Sequence, residues 1–334
     1  MTILTVTHIL SMNIINYCYN KIVYKGFKEM KLQQLKYVRE IARRGLSVSA
    51  AANALHASQP GVSNQVQQLE DELGLQIFER HGKRLTGLTA VGKSVVEMAD
   101  RVLLDVDNIR QLAADSKNDQ LGTLSIGTTH TQARYALPKA IKTFSEHYPN
   151  VHLNMVQGTP TEIAEMAATG RVDIAIATEG LSQFESLAIL PCYDWNRSIV
   201  VPPDHPLLSE KKLNLEAISK YPILTYVMGF TGREQQDKAF IKCGLQPNVV
   251  FTATDADVIK TYVEVGLGIG IIASMAFDET KDAPLKALNA NHLFKASTTH
   301  LGIKRGSYLR GYSYAFIEFL APQLTRKVVE HAIA

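Results

Sequence analysis

Apolar residues recur at helical spacing in successive stretches near the start of the chain. Leu32, Leu35, Val38 and Ile41 stand three apart, which predicts an amphipathic helix beginning at Met30. Val48 to Leu55 reads as a short Ala-rich helix with Ala51 and Leu55 turned inward, and His56–Ala57 make a turn. Ser58 then stands at an N-cap, and Pro60 falls in the first turn of a helix, where its missing N–H would be unpaired in any case. Val62, Val66, Leu69 and Leu73 form the buried stripe of that helix. Gln76 to Leu88 reads as strand–turn–strand, with Gly82 in the turn and Lys83–Arg84 at the tip. Thr89 caps a long helix to Asp115, in which Val95, Ala99, Val102, Val106, Ile109 and Ala113 alternate in steps of four and three. Such a seam predicts a partner helix and hence a dimer of this chain.

The pattern changes after the polar break Lys117–Gly122. Strands at 124–129, 151–158 and 172–178 alternate with helices near 134–148 and 160–169. LAILPCYDW and SIVVPP follow as strands, then PILTY, VVFTAT and IGIIAS with intervening helices, and finally LGIKR and a helix at 308–320. This βαβ alternation predicts an α/β region of mostly parallel sheets covered by helices on both faces. Crossings near Cys192–Asn196 and Phe294–Thr298 divide it into two lobes about a cleft. The expected organisation is a helix-turn-helix with a wing at 30–89, a dimerisation helix at 90–116, and an α/β domain at 117–333. Its first lobe takes 121–192 and 297–333, its second 193–296.

Residues 1–29 have no basic leader, cleavage site or spanning length, so neither a signal peptide nor a membrane helix is expected. Lys25–Gly26 must be encoded by a purine-rich, ribosome-binding sequence shortly upstream of the Met30 codon. Translation is therefore expected to begin at Met30, leaving 1–29 as a non-native extension that an intact mass would reveal.

The outer face of the Ser58–Gly74 helix shows Gln59, Ser63, Asn64, Gln65, Gln67 and Gln68. Uncharged donor–acceptor side chains of this kind pair with base edges in a major groove, so this face, with Ser58 and Pro60 at its start, is the candidate DNA-reading surface. A net charge of +3 would not by itself suggest nucleic acid. Between Met30 and Thr89, however, basic residues outnumber acidic ones eight to five, and Lys83 and Arg84 sit where a wing reaches the phosphate backbone. Cys18, Cys192 and Cys243 show no metal-ligand spacing and point to a reduced, cytoplasmic setting.

Three threonine sites each follow a strand, where open α/β sheets bind ligands. Thr129, Thr131 and Gln132 lie where the first strand enters a helix, Thr178 ends VDIAIAT, and Thr231 sits in GFTGR. Hydroxyls, an amide and free N–H groups at a helix start suit an oxyanion or carboxylate without a lysine. A threonine at a strand end is also a common cap, and Trp195 at the crossover serves equally as cleft wall or hinge. Gly266-Leu-Gly268-Ile-Gly270 lacks dinucleotide-binding spacing and reads as the start of a buried strand. No phosphate loop, nucleophile elbow or zinc-protease motif is present, so no enzyme, cofactor or metal is expected.

The order of parts over 30–333, and the block AAANALHASQPGVSNQVQQLEDELGLQIFER, resemble the LysR-type transcriptional regulators. TTHTQARYALP, DIAIATE, LPCYDWNRSIVVPPDHPL, GFTGR and FTATDADVIKTYVEVGLGIGIIASMA resemble, within that family, the CysB/Cbl subfamily. The resemblance implies an all-α winged helix-turn-helix, a linker helix and a two-lobed, periplasmic-binding-protein-like effector domain. It implies a homotetramer that acts on promoter DNA with RNA polymerase, activating sulfate-uptake and reduction genes and repressing its own. N-acetylserine or O-acetylserine is then the inducer, opposed by sulfide and thiosulfate; the sulfate/inducer positions fall on Thr129, Thr131, Gln132, Thr178 and Thr231, and DNA recognition on Val48–Gln67. A Cbl-like regulator of sulfonate or sulfate-starvation genes, answering to a phosphosulfate, is the alternative. A sulfur-oxyanion solute-binding protein is a remote one. The chain departs from the family in its first 29 residues and in stopping soon after the last helix.

Overall fold

The computed structural model describes residues 30–82 and 84–334, so the proposed extension 1–29 and the wing residue Lys83 lie outside the described residues. Two compact units divide between Ile109 and Arg110, inside a long helix. The first opens with α1 (Leu32–Arg43), α2 (Val48–Ala54) and α3 (Gln59–Leu73). Ser47 caps α2 by accepting from the Ala50 amide at 3.2 Å, and Ser58 caps α3 by accepting from Gly61 at 3.3 Å. Gly74, left-handed at φ 65°, closes α3.

Leu35, Val38, Ile41, Ala51, Val62, Val66 and Leu69 pack as one core. The ends of the expected stripes behave otherwise. Leu32 and Leu73 are exposed and Leu55 is half-buried, because Leu32 opens its helix, Leu73 ends its own and Leu55 is the residue after α2, so each lies at an end that its neighbours do not cover. The wing is an antiparallel pair, β1 (Phe78–His81) and β2 (Arg84–Leu88). It is tied to α3 by Glu70, a buried carboxylate that accepts from the Ile77 and Phe78 amides at 2.8 and 3.1 Å and pairs with Arg80 at 2.8 Å.

The long helix α4 runs Ala90–Lys117, with Thr89 capping it by accepting from the Gly92 amide at 2.8 Å. Gly92 has to be glycine: a Cβ there would stand 1.9 Å from the Ile77 carbonyl. The expected seam is split. Ala99 and Leu103 are buried and Val95 packs against the core of this unit, whereas Val91, Met98, Val102, Ile109 and Leu112 are exposed. One helix thus carries two apolar faces.

The second unit holds two five-stranded sheets. The first has the order β4–β3–β5–β12–β6, from β3 (Gly122–Thr128), β4 (Val151–Gln157), β5 (Ile174–Ala177), β6 (Leu187–Trp195) and β12 (Ser297–Lys304). The second has the order β11–β7–β10–β8–β9, from β7 (Arg197–Val201), β8 (Ile223–Tyr226), β9 (Val249–Ala253), β10 (Ile269–Ala273) and β11 (Lys286–Asn289). Both are mixed rather than mostly parallel. β12 runs antiparallel to β5 and β6, and β7 antiparallel to β10 and β11, because a chain that crosses between sheets returns in the opposite sense.

Helices α5 (Leu137–His147), α6 (Pro160–Ala168) and α10 (Gly311–Leu320) serve the first lobe, with α11 (Arg326–Ile333) packing Val329 and Ile333 into its core. Helices α7 (Leu215–Ser219), α8 (Arg233–Lys242) and α9 (Ala256–Glu264) serve the second. The crossing is short: Trp195 ends the first sheet, Arg197 begins the second, and the return pairs Ser297 with Trp195. Asn196 clamps the two passes by donating to the Asn291 and Phe294 carbonyls, each at 3.2 Å. Strand β11 and helix α11 were not apparent from the pattern, since one is a short run at an edge and the other a two-turn helix. No helix among the described residues is long and apolar enough to cross a membrane.

Candidate functional site

The α3 face is polar and open. Gln59, Pro60, Ser63 and Asn64 are exposed along with the cap Ser58, and Gln65 is half-buried. Two of the glutamines are held along the helix, Gln65 by Gln68 at 3.1 Å and Gln67 by Asp71 at 3.0 Å. Arg84 is exposed at the start of β2.

The cleft gathers strand ends. Thr128 lies at the C-terminal end of β3, in register with Ile176 of β5, so Thr129 and Thr178 leave the sheet side by side. The chain then makes a wide π-type turn over Gln132–Ala136 before α5, a distortion that marks many binding sites. Gln132 is fixed from two sides: its amide donates to Thr299 Oγ1 at 3.1 Å, and its carbonyl accepts from the Tyr193 hydroxyl. Trp195 donates to the same Thr299 hydroxyl at 3.1 Å, so its ring is held at the crossing between the lobes. Thr131 is only 1% exposed, and its hydroxyl, beside the buried Tyr226 hydroxyl, makes no well-formed hydrogen bond.

The second lobe contributes the loop before α8. Thr231 is left-handed at φ 44°, followed by Gly232 at φ 69°. A β-branched residue in that region is strained, and such strain is held where function requires a particular backbone. Gly232 admits no side chain, since a Cβ would stand 1.9 Å from Arg197 Nη2. Glu179, the residue after Thr178, accepts from the Gly232 amide across the cleft, with the Thr231 amide also directed at it. Thr178 and Thr231 are thereby drawn together. Burial pushes the Glu179 carboxyl up to about 7, against the pull of those amides and of Arg197.

Arg197 is the largest fully buried side chain of the described residues. Its guanidinium donates to the Gly232 carbonyl at 2.6 Å, Ser297 Oγ at 3.0 Å and the Lys295 carbonyl at 3.3 Å. It also stacks over Trp195, 5.2 Å from the ring centre. Burial lowers it to about 10, so it remains cationic. Neither Glu179 nor Arg197 was singled out in the sequence. Arg197 sits inside an apolar strand pattern, where only its charge was out of place.

A second set of contacts joins the lobes. Arg134 pairs with Asp257 at 2.6 Å, the Tyr135 hydroxyl donates to Asp257 at 2.6 Å, and Lys260 reaches Tyr135 and Asp282 at 3.2 and 2.8 Å. His130, Asp255 and Asp257 bring ligand-type atoms within 4.8 Å of one another. Asp257 is already engaged by Arg134 and Asp255 caps α9 at the Val258 amide, so this cluster is a polar contact between lobes and not a cation site. Cys192 is buried in the first sheet, its thiol pushed up to about 12 by burial, while Cys243 is exposed after α8.

Residues 32–93 match the family model of the bacterial regulatory helix-turn-helix protein, lysR family, and residues 117–325 match the LysR substrate binding domain. The chain belongs to the LysR family of transcriptional regulators. It is 50% identical to the regulator SsuR of Burkholderia cenocepacia over 88% of this chain and 96% of that one. It is equally 50% identical to the regulator CysB of Haemophilus influenzae, over 91% of this chain and 94% of that one. The crystal structure of the cofactor-binding domain of the Cbl regulator matches with a TM-score of 0.63 at 45% identity, covering 65% of this chain and 95% of that one. This LysR regulator therefore falls in the CysB/Cbl/SsuR subfamily, a group of DNA-binding, non-enzymatic regulators of sulfur metabolism. DNA is bound through the helix-turn-helix and a small effector through the substrate-binding domain.

Proposed function

We propose that this LysR regulator controls sulfate-assimilation and cysteine-biosynthesis genes from the cytoplasm, and that N-acetylserine or O-acetylserine switches it from the interlobe cleft. In this reading Thr129, Thr131, Gln132, Thr178 and Thr231 receive the effector's carboxylate, or sulfate or thiosulfate in its place. Trp195 acts as the hinge. The observation that carries the reading is the Thr131 hydroxyl, buried without a well-formed hydrogen bond beside the ends of both sheets. A buried hydroxyl left so costs free energy unless a ligand completes it. On the DNA side, residues 30–89 place Ser58–Gln65 in the major groove and Lys83–Arg84 on the backbone. Helix α4 pairs two copies so that half-sites are read about a dyad, two such dimers form the tetramer, and RNA polymerase is engaged next to them.

An effector can move this system only through unequal affinity for two conformations. Thr131→Val is expected to weaken N-acetylserine binding about tenfold, the scale of one lost buried hydrogen bond, with DNA binding in its absence unchanged. Calorimetry with the full chain measures the first and fluorescence anisotropy the second. Lost DNA binding at unaltered effector affinity would count against the proposal. The match to the Cbl cofactor-binding domain supports a second reading, a Cbl-like regulator answering to a phosphosulfate. Titration with N-acetylserine and a phosphosulfate in parallel separates the two.

A further inference from the structure

The cleft already contains an anion of its own. Thr231 and Gly232 are consecutive left-handed residues in the loop that leads into α8, and the amides of both are directed at one point in the cleft. The Glu179 carboxylate, carried by the first lobe, sits on those amides. Arg197 lies directly behind, 2% exposed, and every acceptor it touches is a neutral carbonyl or hydroxyl. It has no carboxylate at ion-pair distance among the described residues, and Glu179 is the carboxylate whose charge it feels most. The Thr131 hydroxyl, 1% exposed and without a well-formed hydrogen bond, supplies an independent sign that a ligand belongs here. One buried cation thus stands against one half-buried carboxyl. A second anion added beside Glu179 would leave the pocket with an uncompensated negative charge.

We infer that Glu179 is the specificity-determining residue of this cleft, a resident counter-anion that yields the Thr231 and Gly232 amides and takes up a solvent proton when an anionic effector binds. The inference rests on the reading above that the effector is an anion in this cleft. The uptake forms one O–H bond on the Glu179 carboxyl and breaks none in the ligand. The charged groups facing Glu179 are Arg197 on β7 and Glu234 in the first turn of α8, one favouring and one opposing the carboxylate. Burial already holds the carboxyl at about 7, so the proton is available near neutrality. A ligand offering an N–H donor toward Glu179 would instead keep the carboxylate. The cleft would then discriminate between a bare dianion and a monoanion with an amide or amine.

Sulfate, whose charge is constant from pH 6 to 8, is the probe. For the full wild-type chain, calorimetry in two buffers of unlike ionisation enthalpy is expected to show uptake approaching ~1 proton per sulfate at pH 8, with affinity falling about tenfold from pH 6 to pH 8. In Glu179→Gln the uptake should vanish and sulfate affinity at pH 8 should rise about tenfold. Uptake that persists in the variant assigns the proton elsewhere and overturns the inference. So does wild-type affinity that is flat with pH, a result that needs no variant. Should sulfate and N-acetylserine both fail to bind wild type, the anionic-effector reading falls. Glu179 is then judged on the ligand-free protein, where identical pH profiles of unfolding for wild type and Glu179→Gln overturn its resident role as well.

Discussion

At the scale of single residues, three positions around α8 carry the argument. Glu179 has a folded-state value raised from 4.5 to about 7 by burial. A raised carboxyl favours the folded state only while it is protonated in both states. Its contribution is complete below the unfolded value, near 4.5, and is lost as pH rises through about 7. Ligand-free Glu179→Gln should therefore gain stability relative to wild type between pH 5 and 8, read as a rising difference in denaturation midpoint. Gly232→Ala places a methyl on Arg197 Nη2 at a left-handed backbone. It should cost about 2 kcal/mol in urea unfolding and abolish the effector response. Thr231→Gly relieves the φ 44° strain but removes a hydroxyl from the cleft. The expected result is unchanged or slightly higher stability with weaker effector binding, so a variant less stable and fully responsive would contradict a functional role for this residue.

At the scale of elements, α3 and the wing form one device through Glu70. The carboxylate satisfies two backbone amides that the strand pairing leaves over, and it holds Arg80. Glu70→Ala leaves both amides buried and unpaired, so a loss of about 3 kcal/mol is expected, with weaker binding to every DNA sequence. Chemical denaturation and a comparison of specific with random duplexes check the two parts. Helices α1 to α3 and the wing were legible because helical spacing, serine caps and a turn glycine agree at each position. Leu32 and Leu73 departed from the stripe because periodicity counts every apolar position on a face, whereas a neighbour covers only the middle of a short helix. The heptad pattern of α4 was legible as apolar spacing, yet the sequence could not say which face serves its own unit. Ala99 and Leu103 turn inward, and Met98, Val102, Ile109 and Leu112 do not.

At the scale of the whole molecule, that outward stripe bears on assembly. Ile109, 66% exposed, is the position to charge. Ile109→Glu should lower the sedimenting mass and weaken binding to paired half-sites by about a hundredfold, the scale of lost avidity, while single half-site and effector binding persist. Unchanged mass would place dimerisation elsewhere.

The sequence by itself determined most of the elements, their order, the partner DNA and the strand ends beside which Thr129, Thr178 and Thr231 stand. These follow from local periodicity, caps and turn residues, which act over a few positions. Only the tertiary structure decided the charge balance of the cleft. Glu179, Arg197 and Gly232 come from a strand end, an apolar strand and a loop, 53 residues apart in the case of the Glu179–Gly232 contact. A buried carboxylate is raised and a buried guanidinium held by what surrounds them in space, and no spacing along the chain records that.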